Sequence, residues 1–461
     1  LEQGKEIDVV GASGALNFDP RTGEAPANIE EWKYTAAGGT TQVEVHTLDL
    51  AERRCRRTAG APKSATTITV GVLLSFTTPD GGEDPWGDAQ TNAIALAADE
   101  INSREGVNGR RKFHLVVCDT VDIAENAREQ AAHLIRDHGA QALITGGSRE
   151  TLAVAAEAVP KGVLVMSSSA TSPELTELSD KQSPTDAAGL VWRTSPSDAI
   201  QGRVLADIVR ADPTPNPRVA VLAVDEPYGQ GLAQVFRSRY GTSNSRAFLF
   251  ESGSNGADAL TQAEAYAPTH VLLIGFPGEL VPILKDVSAN RPALKGAKWY
   301  FSDSAKALEV FNQVPDRAFL ENAHGTAPAS SDGPAFESFR SRYQSKFKAD
   351  PTQVSFTANS YDAFYLVALA ASYASTATGD KPITGVRMAE GLTKVSSGTP
   401  RLLEPLSYAG ARGDMENGRS IDVEGASGKL DFDASTGEAP SMIEEWKYAG
   451  GAFSTVQLHD P

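Results

Sequence analysis

The chain is poor in the residues that usually announce chemistry. It has 2 cysteines, Cys55 and Cys118, and 7 histidines among 461 residues. The histidines fall singly, with no H-E-x-x-H and no Cys/His cluster, so no metal site is expected. No G-x-G-x-x-G follows the first strand-like run, and neither a P-loop nor a G-x-S-x-G elbow occurs, so no cofactor is expected. Ser148 or Ser169 could act as a nucleophile, but no histidine stands near either in sequence; binding without catalysis is the expectation. No apolar run approaches the roughly 20 residues that span a bilayer. Cations are in deficit: Lys+Arg is 42 against Asp+Glu 59, a net charge of −17. Such a surface disfavours nucleic acid, whose phosphates need cationic neutralisation. Two cysteines are compatible with one disulfide in an oxidising compartment or with two unrelated thiols. Without an initiator Met or a signal-peptide pattern, the chain reads as processed or truncated.

What the chain has is alternation. After a small, polar, partly basic stretch, "LAERRCRRTAGAPKSAT", comes a continuous apolar run, "ITVGVLLSF". A helical pattern follows in "AQTNAIALAADEIN", then the strand "KFHLVVCDT", the helix "AENAREQAAHLIRDHG" and the strand "AQALITGG". The pattern resumes after Ser195 with "RVAVLAVD", "HVLLIGF" and "KWYFSD" as strands between helices. Strands alternating with helices of this length make βαβ units and parallel sheets. Two doubly wound α/β lobes in tandem are expected, with ligand between them beyond the strand ends.

The residues at those ends carry the functional expectation. Ser148 follows one strand, and Ser169 and Thr171 follow another, running into "SPELT". Hydroxyls and free N–H groups at a helix start suit a carboxylate, although such a cluster also serves simply to cap its own helix. In the second half Asp225 and Tyr228, Phe276, and Asp303 each follow a strand. An acid there could pair with an ammonium group; it could equally be the N-cap of "SAKALEVF". Hydroxyls in one lobe and an acid in the other point to a zwitterion such as an α-amino acid.

The stretches "ITVGVLLSFTTP", "PWGDAQTNAIALAADEIN", "SSSATSPELT", "WRTSPSDAIQG" and "PYGQGLA", in this order, resemble the type I periplasmic solute-binding proteins. The likeness is greatest to the leucine/isoleucine/valine-binding receptors of ABC transporters. It implies a carboxylate site at Ser148, Ser169 and Thr171, an ammonium site at Asp303, and pocket walls at Tyr228, Trp86 and Phe276. It implies a three-strand hinge crossed near Thr194–Pro196, near Gly325–Ala327 and between about Pro405 and Gly418. Lobe 1 would then be 67–194 with 327–405, and lobe 2 would be 195–326 with 419–461. A periplasmic or extracellular location and an ABC permease partner follow, with a sensory ectodomain as the alternative. The family's small disulfide loop is not reproduced, which leaves a Cys55–Cys118 pairing as an expectation only.

The stretch "IDVEGASGKLDFDASTG" continues the same likeness, and it is repeated near the N-terminus. "IDVVGASGALNFDPRTGEAPANIEEWKY" (7–34) recurs as "IDVEGASGKLDFDASTGEAPSMIEEWKY" (421–448), identical at 21 of 28 positions. Residues 1–50 therefore read as the tail of a preceding receptor domain, joined through a linker at 51–66. Such a tail could hang free, add to a sheet edge, or take the place of the C-terminal copy, in this molecule or a neighbour. An ordered add-on near the second lobe is the expectation.

Overall fold

The computed structural model describes residues 54–55, 57–77, 84–329, 331–376 and 382–460, and before them the backbone of four strands. The chain divides into two compact units, 1–56 and 57–461.

The larger unit holds two lobes. Lobe 1 has a six-stranded sheet in the order Val191–Arg193, Leu164–Ser167, Ala142–Thr145, Ile68–Leu74, Phe113–Asp119, Arg57–Gly60. All its pairings are parallel except the last. Every residue of Ile68–Leu74 is buried, as expected of a parallel strand covered on both faces, and this is why its sequence shows no polar alternation. Lobe 2 has a seven-stranded sheet in the order Ser245–Phe250, Val219–Val224, His270–Ile274, Lys298–Phe301, His324–Pro328, Ile443–Ala449, Ala452–His459. Its last two strands run antiparallel. In each lobe the first parallel strand, Ile68–Leu74 or Val219–Val224, lies between the second and the third, so the strand order reverses beside it. In doubly wound sheets that switch point is where ligands sit.

Each lobe has its own apolar core. Helix Thr357–Thr376 crosses the lobe 1 core, burying residues such as Tyr361, Phe364 and Leu369 on several sides, which accounts for its lack of a polar face. The chain crosses from lobe 1 to lobe 2 after Arg193, returns between Pro328 and helix Pro334–Phe347, and crosses again between Ala439 and Ile443.

The third crossing corrects the sequence expectation. The resemblance implies a crossing between about Pro405 and Gly418, with lobe 2 resuming at 419. Instead Ile421, Val423, Leu430 and Phe432 pack in the lobe 1 core, and only from Ile443 does the chain join the lobe 2 sheet. The second boundary also shifts, because Ala327 still belongs to a lobe 2 strand. The linker expected at 51–66 ends early: Arg57–Gly60 is an edge strand pairing Arg57 with Val117. Its mostly exposed "RTAG" carries no apolar signal that a sequence reading could use. Both cysteines are disulfide-bonded, and neither is a free thiol.

The N-terminal unit repeats the backbone of the C-terminal tail. Asn28–Tyr34 and Thr40–Thr47 form an antiparallel hairpin with a register shift between Glu31 and Trp32. Ile443–Ala449 and Ala452–His459 form the same hairpin with the shift between Glu445 and Trp446. Ahead of it, Val10 pairs Ala15 and Gly11 pairs Gly14, as Glu424 pairs Lys429 and Gly425 pairs Gly428. The expectation that this segment packs near lobe 2 lies outside the described residues.

Candidate functional site

Lobe 2 supplies an acid cluster. Asp303 follows strand Lys298–Phe301 and is buried. Its Oδ1 accepts from the Tyr228 hydroxyl at 2.8 Å and from Gln201 Nε2 at 2.9 Å. Tyr228 lies in the first turn of helix Pro227–Tyr240, where Pro at N1 fits the helix start. Gly229 is required beside it: a Cβ there would stand 2.1 Å from the Val224 carbonyl oxygen. Phe276 caps the next βα turn, and its ring lies 5.2 Å from that of Tyr228.

A second acid joins this cluster. Asp198 opens helix Asp198–Ala211 just past the first crossing, with Ser197 as its N-cap. It is fully buried, and its Oδ2 accepts from the Thr171 hydroxyl at 2.8 Å. Its Oδ1 and the Gln201 Oε1 have no hydrogen-bond partner among the described residues. Burial pushes the Asp198 carboxyl well up, and the charge of Asp303 adds to this. Burial also raises Asp303, while the Gln201 and Tyr228 hydrogen bonds hold it back. Two buried acids with spare acceptors favour a cation between them, because an unpaired buried carboxylate is costly.

Lobe 1 supplies donors. Ser148 begins helix Ser148–Ala158, and its hydroxyl accepts the Ser172 N–H at 3.1 Å. Ser169 is half-buried, with its hydroxyl beside Gly146. Arg193 holds this loop in shape by donating to the carbonyls of Ala170 at 3.2 Å and Ser172 at 2.8 Å. Its other side pairs with Glu438.

The lobes touch beside these groups. The Ser172 hydroxyl donates to the Pro227 carbonyl at 3.0 Å. Arg149 of lobe 1 pairs with Glu226 of lobe 2 at 2.9 Å and with Asp122 at 3.0 Å. Burial pushes Glu226 up to about 7 against the pull of Arg149.

Of the residues singled out from the sequence, Tyr228, Asp303, Phe276 and Thr171 thus come together. Trp86 instead has Phe356 as its ring neighbour, at 6.0 Å. Asp225 is exposed and bonded to Gln230. Sequence reasoning missed Asp198, Gln201 and the Arg149–Glu226 pair. It also missed Phe356, a buried phenylalanine with φ of +63°, a backbone conformation strained for a bulky side chain. Among the described residues no group of three or more His, Cys, Asp or Glu could hold a metal ion. No helix among them is long and apolar enough to cross a membrane.

Comparison with known proteins bears on the family and the fold. The sequence profile described as "Periplasmic binding protein" matches residues 67–439. A chemotactic signal transduction system substrate-binding protein of Halobacterium salinarum is 27% identical over 80% of this chain and 84% of its own. A Leu/Ile/Val-binding protein of Rhizobium johnstonii is 28% identical over 59% of this chain and 74% of its own. The crystal structure of a leucine-binding protein from Thermotoga maritima superposes with a TM-score of 0.67 at 20% identity, covering 86% of this chain and 99% of that one.

Proposed function

The chain belongs to the periplasmic binding protein family, and we propose that it captures a small α-amino acid between its lobes and delivers it to an ABC permease outside the cytoplasm. The observation that carries this reading is the buried pair Asp198 and Asp303, with unpartnered acceptors beside them and hydroxyl donors across the lobe boundary. An ammonium group satisfies the acids. A carboxylate suits Ser148, Ser169 and the N-terminus of helix Ser148–Ala158, where the helix dipole favours negative charge. Tyr228 and Phe276 would flank the ligand side chain. Binding energy drawn from both lobes drives a hinge motion, and no bond in the ligand is made or broken.

The test is a thermal-shift screen with the common amino acids, since a ligand that binds only the folded state raises Tm. Leucine, isoleucine or valine is expected to stabilise the protein. Asp303→Asn should remove that shift, because losing one partner of a buried charge pair costs about 3–5 kcal/mol. An unaltered shift in the folded variant would reject the ammonium assignment.

A second reading has its own support. The Halobacterium relative named for chemotactic signalling aligns over 80% of this chain, so the same capture could feed a transducer. Co-purification from detergent-solubilised native membranes separates the two: a permease favours transport and a transducer favours sensing.

A further inference from the structure

The N-terminal copy of the tail keeps the residue types that are buried in the C-terminal copy. In the C-terminal copy, Trp446 and Tyr448 lie in the lobe 2 core, while Ile421 and Phe432 lie in the lobe 1 core. Polar anchors accompany them: Glu438 pairs with Arg193, Glu444 with Lys306, and Glu445 with His324 at 2.7 Å. Every buried residue between Ile421 and Tyr448 recurs unchanged in residues 7–34, Trp446 as Trp32 and Tyr448 as Tyr34 among them, and the half-buried Glu438 recurs as Glu24. The two copies differ at 28 − 21 = 7 positions, among them Glu424, Lys429 and Met442, and none of the seven is buried in the C-terminal copy.

The backbone agrees. The C-terminal hairpin is the end of a seven-stranded sheet, paired through Ile443–Ala449 to His324–Pro328. The N-terminal hairpin has the same register and the same bulge, yet it stands in a two-stranded sheet. Two-stranded ribbons are marginal alone and invite pairing along their edges. Substitution confined to positions that are not buried in the receptor tail is what a segment retained for that same seat would show.

We propose that the N-terminal segment seats in the tail position of a second copy of this chain. It completes that copy's lobe 2 sheet against His324–Pro328 in place of the copy's own C-terminal hairpin. Within one chain the resident tail holds an advantage. Phe453 packs on Trp446 at 4.9 Å and on Phe311 at 5.3 Å, whereas Thr40 stands at the corresponding register position of the N-terminal copy. Exchange therefore follows release of the resident hairpin, giving linked receptors.

The test uses the full chain carrying Glu31→Cys and Thr326→Cys, because Glu31 stands at the register position of Glu445, the Cα partner of Thr326. With the resident hairpin weakened by Trp446→Asp, a covalent 31–326 link between chains is expected on non-reducing gels and in peptide maps. Adding Trp32→Asp should cut that link about tenfold or more, since an aspartate in a tryptophan's core seat is strongly destabilising. Should Trp446→Asp fail to fold, the same cysteine pair with the resident tail intact is concentrated, warmed through partial unfolding and cooled. Linked dimers sensitive to Trp32→Asp are again expected. No 31–326 link in either chain, a link only within monomers, or linking indifferent to Trp32→Asp would overturn the proposal.

Discussion

Asp362 shows at the level of one residue how the fold handles buried charge. It lies on helix Thr357–Thr376, and its carboxyl accepts the N–H groups of Ala426 at 2.8 Å and Ser427 at 2.7 Å. It thereby pins the "GASG" turn onto lobe 1, so closely that a Cβ on Gly425 would stand 2.3 Å from Asp362 Oδ2. Burial pushes its pKa from 3.8 to about 7, outweighing the hydrogen bonds. Its protonation is therefore linked to folding. The stabilisation is fully present below 3.8 and is lost as pH rises through about 7. The stability difference between the native protein and Asp362→Asn should narrow between pH 5 and 7.5, by about 2.5 kcal/mol, as read by urea unfolding. A gap independent of pH would show that Asp362 titrates normally. The same buried setting explains what sequence reading could and could not find among single residues. Asp303 and Tyr228 were legible because each follows an apolar strand. Asp198 was not, since "SPSDAIQG" reads as a capped helix start, and only the lobe crossing beside Ser197 buries that first turn.

At the level of elements, helix Ser148–Ala158 and the turn before helix Pro227–Tyr240 meet across the lobe boundary through Arg149 and Glu226. This pair holds the lobes together beside the acid cluster, through Arg149, Glu226 and Asp122. Arg149→Met should speed dissociation of a bound amino acid about tenfold while leaving association nearly unchanged, in stopped-flow experiments. The effect should be smaller at pH 6 than at pH 8, because Glu226, already raised to about 7 by burial, takes up a proton once its partner is gone. Equal effects at both pH values would remove Glu226 from the latch. The strands were legible as apolar runs because parallel sheets bury both faces. The crossing at Ala439–Ile443 was not, since a tail that serves both cores looks like one continuous segment. The exposed edge strand Arg57–Gly60 was hidden for the opposite reason: it has no core pattern at all.

The larger unit as a whole is a pair of sheets whose switch points face one boundary, with acids on one side and hydroxyls and a helix start on the other. That division predicts recognition of both ends of a zwitterion, and neither end should suffice. The most direct measurement is isothermal titration calorimetry with leucine, its deaminated 2-oxo acid and its decarboxylated amine. The account predicts that leucine binds at least about 100-fold more tightly than either analogue, as loss of a buried charged partner implies. Binding of the oxo acid as tight as that of leucine would contradict it.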